Sequence, residues 1–284
     1  MRILILGASG MLGSTLFRYF SSQSGVEVYG TARSFHSVRT LPEALHAHLK
    51  LNVDVENADH LLKAFAEVRP DVVLNCVGIV KQLSEADDPL TAIPINSLLP
   101  HRLAKLFATS GARLIHFSTD CVFSGSKGLY AECDTPDAAD LYGRSKLLGE
   151  VDYANAITLR TSLIGHELAG NRSLVSWFLT QNGSVKGYRR AIFSGLPTIE
   201  IARVVHEHVL PNPDLCGLYH LSVDPISKFD LLRLVAHVYG KSIEIIPDDE
   251  FVIDRSLDSS RFRAETGYSP KPWPDLIQAM HDFG

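Results

Sequence analysis

Arg2-Ile3-Leu4-Ile5-Leu6-Gly7-Ala8-Ser9-Gly10-Met11-Leu12-Gly13 opens the chain, and its reading decides the fold. A short apolar run stops at a glycine turn, and a helix-like stretch from Met11 to Phe20 follows it. Strand, glycine turn, helix is the setting in which a dinucleotide fingerprint works. Gly7 permits a tight turn, Gly10 lets a pyrophosphate approach the backbone, and Gly13 allows the helix to pack closely on the sheet. Free N–H groups at the helix start then face the phosphates. The spacing is GxxGxxG rather than GxGxxG, and turns before helices are often glycine-rich for structural reasons alone. The N-terminal placement after a strand favours the cofactor, with Ser9, Met11 and Leu12 lining the same turn.

Beyond this opening, short apolar runs alternate with amphipathic stretches, the pattern of a parallel sheet wrapped by helices. Strands are predicted at Arg2 to Leu6, Val26 to Tyr29, His48 to Leu51, Val72 to Cys76, Arg113 to Ser118 and Ile157 to Arg160. Helices are predicted near Met11 to Phe20, Ala58 to Val68, Leu98 to Thr109 and Tyr142 to Val151. The fold class is therefore α/β, a Rossmann-type doubly wound parallel sheet with a small C-terminal substrate-binding lobe. Residues 1–164 are assigned to the NAD(P)-binding domain and 165–284 mainly to the lobe, with later segments returning to the sheet. In the lobe, Gly165 to Ser173, Gly183 to Gly195 and Pro211 to Pro213 read as loops around short helices. A capped helix is expected over Ser227 to Tyr239, and another after Lys271-Pro272-Trp273-Pro274.

Composition narrows the function classes. The 284 residues are 45% hydrophobic and 21% charged, and the net charge of −5 is dispersed, so nucleic acid is not an expected partner. No segment approaches the roughly 18 apolar residues that span a bilayer, and Met1 to Leu6 is too short for a signal peptide. No membrane partner and a cytoplasmic location are expected. Cys76, Cys121, Cys133 and Cys216 lack metal-ligand spacing, and His101, His116, His206, His208, His220 and His237 are scattered, so no metal site is expected.

Chemistry is suggested by Tyr142 and Lys146, which at i and i+4 share one helix face. A phenol with a pKa of about 10 is a poor proton donor–acceptor at neutral pH, and an adjacent ammonium lowers that value. Lys146 also suits the hydroxyls of a nicotinamide ribose. Thr119, at a predicted strand end, is placed to bond a substrate oxygen. A lone YxxxK occurs on many helices; the glycine loop upstream makes this one a catalytic candidate. After the second strand, Tyr29-Gly30-Thr31-Ala32-Arg33-Ser34 lacks the carboxylate that would hold a ribose diol. Arg33 and Ser34 suit a 2′-phosphate, so NADP(H) is favoured, with NAD(H) as the other candidate. Asp54, followed by Val55, is read either as an acceptor for the adenine amino group or as a helix cap.

These residues resemble the extended short-chain dehydrogenase/reductases over essentially the whole chain, and within them the dTDP-4-dehydrorhamnose reductase branch. The carrying motifs are Gly7/Gly10/Gly13, Asn75-Cys76-Val77-Gly78, Asn96, Ser118 to Gly125 and Tyr142-Gly143-Arg144-Ser145-Lys146-Leu147-Leu148-Gly149-Glu150. Leu159 to Ser162, Gly195 to Thr198 and Gly217 to Ser222 match later segments. The resemblance implies NAD(P)H-dependent reduction of the 4-keto group of a nucleotide-linked 6-deoxyhexose, in deoxysugar synthesis for surface polysaccharide. It implies a nucleotide-diphospho-sugar substrate, often a homodimer, and cofactor contacts at Cys76, Val77, Gly78 and Asn96. Substrate contacts are expected from Thr119, Asp120, Cys121, Tyr142 and Arg255, with Asp258 and Arg261 near the diphosphate; Lys81 and Gln82 are read either as substrate contacts to the sugar or a phosphate or as a polar loop.

Thr119-Asp120-Cys121 lacks the glutamate of the related dehydratases, which disfavours water elimination. Cys121 matches an acid of GDP-fucose synthase, but Arg172-Ser173-Leu174-Val175 lacks that family's histidine, and His166 is offset. Epimerase or epimerase–reductase activity is the second enzymatic reading. A regulatory subunit resembling the β subunit of methionine adenosyltransferase is the third. Ile79-Val80-Lys81-Gln82-Leu83-Ser84-Glu85 departs from the rhamnose reductase pattern, so an N-acetylated sugar stands beside rhamnose.

Overall fold

The computed structural model describes residues 1–284, the side chain of Ser84 excepted. The chain divides into two compact units. The first comprises Met1–Ser118, Ala139–Leu159 and Asn212–Leu218; the second comprises Thr119–Ala138, Arg160–Pro211 and Tyr219–Gly284.

The first unit is built on β1 (Arg2–Leu6), β2 (Glu27–Ala32), β3 (Leu49–Leu51), β4 (Val72–Asn75), β5 (Arg113–Thr119) and β6 (Ala156–Thr161). The strand order is β3-β2-β1-β4-β5-β6, and Gly217–His220 pairs at the far edge of β6 to make seven strands. β1 runs parallel to β2 and β4, β2 to β3, and β4 to β5. Strand order reverses between β1 and β4, which is where open α/β sheets bind ligands.

Helices cover both faces because the strands are apolar on both. The helices are α1 (Met11–Ser21), α2 (Ala58–Val68), α3 (Pro89–Ala92), α4 (Leu99–Ala108) and α5 (Leu141–Leu148). Leu4, Leu6, Val73 and Leu114 pack with Leu61, Ala64, Val68, Leu103 and Phe107 from α2 and α4. Phe107, 1% exposed, contributes on the order of 2–3 kcal/mol through burial alone. Phe17 of α1 packs against Gly30 of β2, where an added Cβ would stand 3.4 Å from its ring.

Three sequence expectations need correction. β2 extends to Ala32 rather than stopping at Tyr29, because its pairing with β3 starts only at Gly30. The helix expected over Leu98 to Thr109 begins earlier: α3 runs through a π-helical turn, Ile93–Leu98, into α4. The helix expected to reach Val151 ends at Leu148 and is capped by Gly149, where the Asn96 carbonyl oxygen stands so close that a Cβ would lie 1.9 Å from it.

In the second unit, Ser184–Tyr188 and Ala191–Phe193 are strands where loops were expected, pairing with Glu244–Asp248 and Ile253–Asp254. Alternating burial through Ser184-Val185-Lys186-Gly187 gives the first its strand character. The expected late helices form at Lys228–Val238, capped by Ser227 Oγ on the Asp230 N–H, and at Trp273–Phe283. Among the described residues, no helix is long and apolar enough to cross a membrane.

A Cβ at Gly13 would lie 2.1 Å from the Gly7 carbonyl oxygen. Gly13→Ala is therefore expected to lower stability by about 1–3 kcal/mol, read as a shifted denaturant midpoint at constant slope. An unshifted midpoint would mean that α1 and the turn do not need this close approach.

Candidate active site

Pairing register builds the floor of the site. Leu6 stands opposite Asn75, and Asn75 opposite His116, so the next residues along, Gly7, Cys76 and Phe117, share the carboxyl edge of the sheet. Gly7 has φ +85°, a left-handed conformation, and a Cβ there would meet Val77 Cγ2 at 3.0 Å. Its N–H donates to Thr31 Oγ1 (3.2 Å), and the Ala8 N–H donates to the Thr31 carbonyl (2.9 Å). The end of β2 thus holds the turn in place.

Gly10 is different. A Cβ there would meet only the Gly7 oxygen at 3.5 Å, an ordinary contact. Packing within the protein does not demand glycine at this position, which leaves the backbone open to an approach from outside. Gly10 caps α1 with no side-chain hydrogen bond, and the first turn carries no acidic residue. The amide-rich positive end of α1 is left without a side-chain anion, which fits a dinucleotide pyrophosphate held by the turn from Ser9 to Leu12.

Arg33 and Ser34 follow the end of β2 and are exposed. Asp54 is exposed and accepts the Glu56 N–H through Oδ1 at 3.0 Å. The cap of α2 is Asn57, whose Oδ1 accepts from Asp59 and His60. Asp54 therefore shapes its own turn beside Val55, and the helix-cap reading belongs to Asn57.

The other end of the cradle centres on Lys146. Its Nζ donates to the Phe117 carbonyl at 2.7 Å, and the side chain is buried. Burial lowers its pKa to about 8, opposed chiefly by Glu150. Tyr142 lies one turn earlier on α5, half-buried. The Cys76 thiol is held well above its ordinary pKa by burial. A Cβ at Gly78 would stand 3.4 Å from Asn96 Oδ1 and 3.9 Å from Lys146 Nζ, so this loop lies close against the ammonium.

Asn96, carried by the π-helical turn, accepts the Ile79 N–H at 2.9 Å. Its amide nitrogen donates to the Ile79 carbonyl and to Ser145 Oγ, each at 3.2 Å. It clamps the loop after β4 onto α5. Lys81 reaches Asp140 at 2.6 Å, while the other Asp140 oxygen caps α5 through the Gly143 N–H. Asn96 and Lys81, expected from the sequence as ligand contacts, are thus also tied to α5 and its cap.

In the second unit, Thr119 Oγ1 accepts the Cys121 N–H at 3.1 Å and lies 3.2 Å from Asp120 Oδ1. Arg255 donates from Nε to the Phe123 carbonyl (2.7 Å), with Nη1 3.8 Å from Cys121 Sγ. Burial raises the Asp120 pKa, opposed chiefly by Arg255. Burial lowers that of Lys228, opposed by Asp120 and Cys121. Lys228 was missed in the sequence because it reads as an ordinary first-turn residue of a helix. Asp258 is taken up by Ser260, Arg261 by Glu265, and His166 by the Tyr239 hydroxyl at 2.8 Å. Among the described residues, no group of three or more His, Cys, Asp or Glu is arranged to hold a metal.

Known proteins resemble this chain in sequence and in fold. The chain is 34% identical to a probable low-salt glycan biosynthesis reductase, Agl14, of Haloferax volcanii, over 99% of this chain and 97% of the relative. It is also 34% identical to methionine adenosyltransferase 2 subunit beta of Mus musculus, over 97% of this chain and 88% of the relative. A dTDP-4-dehydrorhamnose reductase from Bacillus anthracis, solved in complex with NADP, shares the fold with a TM-score of 0.79 at 21% identity, over 99% of this chain and 98% of that one. The family model described as the RmlD substrate binding domain matches residues 1–282. With a glycine turn, a reversal of strand order and the Tyr142/Lys146 helix all in its first unit, the chain belongs to the RmlD substrate binding domain family.

Proposed function

We propose that this protein reduces the 4-keto group of a nucleotide-linked 6-deoxyhexose, with NADPH preferred over NADH, in glycan synthesis. The observation that carries the reading is the buried Lys146 ammonium, held against the end of β5 one helical turn from Tyr142. The name of the Haloferax relative, a glycan biosynthesis reductase, agrees with it.

The glycine turn and the start of α1 hold the pyrophosphate; Arg33 and Ser34 hold the 2′-phosphate; Asp54 and Val55 border the adenine. Cys76, Val77 and Gly78 line the nicotinamide end, and Asn96 keeps that loop in place. When bound, NADPH would supply the hydride that the carbonyl carbon takes up. Tyr142 gives its proton to the C4 oxygen as the negative charge develops there. Lys146 lowers the phenol pKa by its charge and bonds the ribose hydroxyls. Thr119 is assigned the orienting hydrogen bond to the same oxygen. Asp120, Cys121 and Arg255 are assigned to the sugar nucleotide, and Lys81 acts on it through the α5 cap.

A second reading, a non-catalytic subunit, is favoured by the identity to methionine adenosyltransferase 2 subunit beta. A screen of NADPH oxidation over dTDP-, UDP- and GDP-linked 4-keto-6-deoxyhexoses separates the two. Turnover of one of these supports the reductase; none, together with recovery of a stable partner enzyme, supports the subunit.

Tyr142→Phe is expected to keep NADPH binding while turnover falls by roughly 100-fold or more. Unchanged turnover would remove Tyr142 from the mechanism. Arg33→Ala is expected to weaken NADPH binding by roughly tenfold or more and to leave NADH nearly unaffected, as for loss of a charge-assisted hydrogen bond. Equal weakening of both coenzymes would place the 2′-phosphate elsewhere.

A further inference from the structure

Glu150 is not needed by any step above, yet it is tied to the end of the strand that holds Lys146. Ser118 Oγ donates to Glu150 Oε1 at 2.7 Å, and Lys146 Nζ donates to the carbonyl of the preceding residue, Phe117, at 2.7 Å. Ser118 and Lys146 are both 6% exposed. Glu150 lies just past α5, where its N–H returns to the Leu147 carbonyl. The turn is possible because Gly149 lets the helix end press onto Asn96. Two consecutive β5 residues thus hold a buried ammonium and a half-buried carboxylate, four residues apart along α5 and the turn that closes it.

Resting on the reductase reading, we infer that Glu150 is a positioning residue, whose tethered carboxylate keeps Lys146 charged beside Tyr142. The other groups facing Lys146 cannot do this. A phenol such as Tyr142 has an ordinary pKa of about 10 and is neutral at physiological pH. Cys76, from the loop after β4, is held as a neutral thiol by burial. His116, from β5, is held neutral by burial, by Lys146 and by His101 of α4; its Nδ1 meets Asn75 at 3.1 Å. Asn96 carries no charge. Glu150 is the group facing Lys146 whose ordinary state is anionic.

The sign follows. Burial pushes the ammonium toward losing its proton, and the carboxylate opposes that loss. Lys146 is charged below a pH of about 8 and neutral above it. Removing the Glu150 charge moves that boundary downward, toward working pH.

The test uses the full-length protein with carbon-13 at lysine Cε, the Lys146 signal being assigned by its loss in Lys146→Met. In Glu150→Gln, whose amide oxygen still accepts from Ser118, the titration midpoint of Lys146 is expected to fall by about half a pH unit or more. In Glu150→Asp the midpoint should stay nearer the wild-type value, and Ser118→Ala, which frees the carboxylate, should give a smaller fall. An unchanged midpoint in Glu150→Gln with NADPH binding intact overturns the inference. If Glu150→Gln does not fold, the Ser118→Ala titration decides in the same way. With a 4-keto sugar nucleotide, the alkaline limb of kcat should move to lower pH in Glu150→Gln while KM changes little. Wild-type protein inactive on every sugar would defeat the reductase reading alone, since the lysine titration needs no substrate.

Discussion

A lysine ammonium buried at the end of a parallel strand is the constraint around which the first unit is arranged. The drop in its pKa to about 8 corresponds to roughly 3 kcal/mol against the charged form. Such a charge persists only where acceptors are fixed in advance. The Phe117 carbonyl, supplied by β5, is that acceptor, and the neighbouring Ser118 hydroxyl fixes the Glu150 carboxylate of the turn after α5. Both depend on α5 lying close to the sheet edge. That closeness comes from Gly149 against Asn96, and from Ser97 and Asn96 bonded to Ser145.

The π-helical turn at Ile93–Leu98 belongs to the same design. An extra residue in that turn re-aims the side chains that follow, and here it presents Asn96 to both the Ile79 backbone and α5. One amide side chain therefore couples the loop after β4 to α5. Lys81 and Asp140 do the same from the other end of that helix. The polar residues around the crevice divide into those that hold scaffold and those left for ligand. Gly10 is assigned to the ligand side in the proposed reading, since its missing Cβ relieves no contact within the protein.

The second unit carries a different chemistry. Arg255 and Lys228 both act on the Asp120–Cys121 turn, and both lie partly buried. Cations brought together in this way suit an anionic ligand, consistent with assigning this turn and Arg255 to the sugar nucleotide. Arg261 and Asp258, close by in sequence, are committed to neighbours instead.

Much of the first unit was legible from residues alone. Strand–glycine–helix order, apolar runs buried on both sides and the Tyr142/Lys146 spacing are local signals, set by backbone sterics and helical periodicity. Element ends were less legible: β2 runs on to Ala32 because a neighbouring strand pairs there, and α5 stops at Gly149, where another backbone stands beside it. The strands around Ser184 and Glu244 escaped notice because each is short and finds its hydrogen bonds in a segment about 60 residues away. Roles were least legible of all. Local chemistry makes Asn96 and Lys81 attractive ligand contacts and leaves Glu150 and Lys228 plain. Only tertiary structure decides which polar atoms already have partners, because hydrogen bonds and burial join residues that the sequence keeps apart.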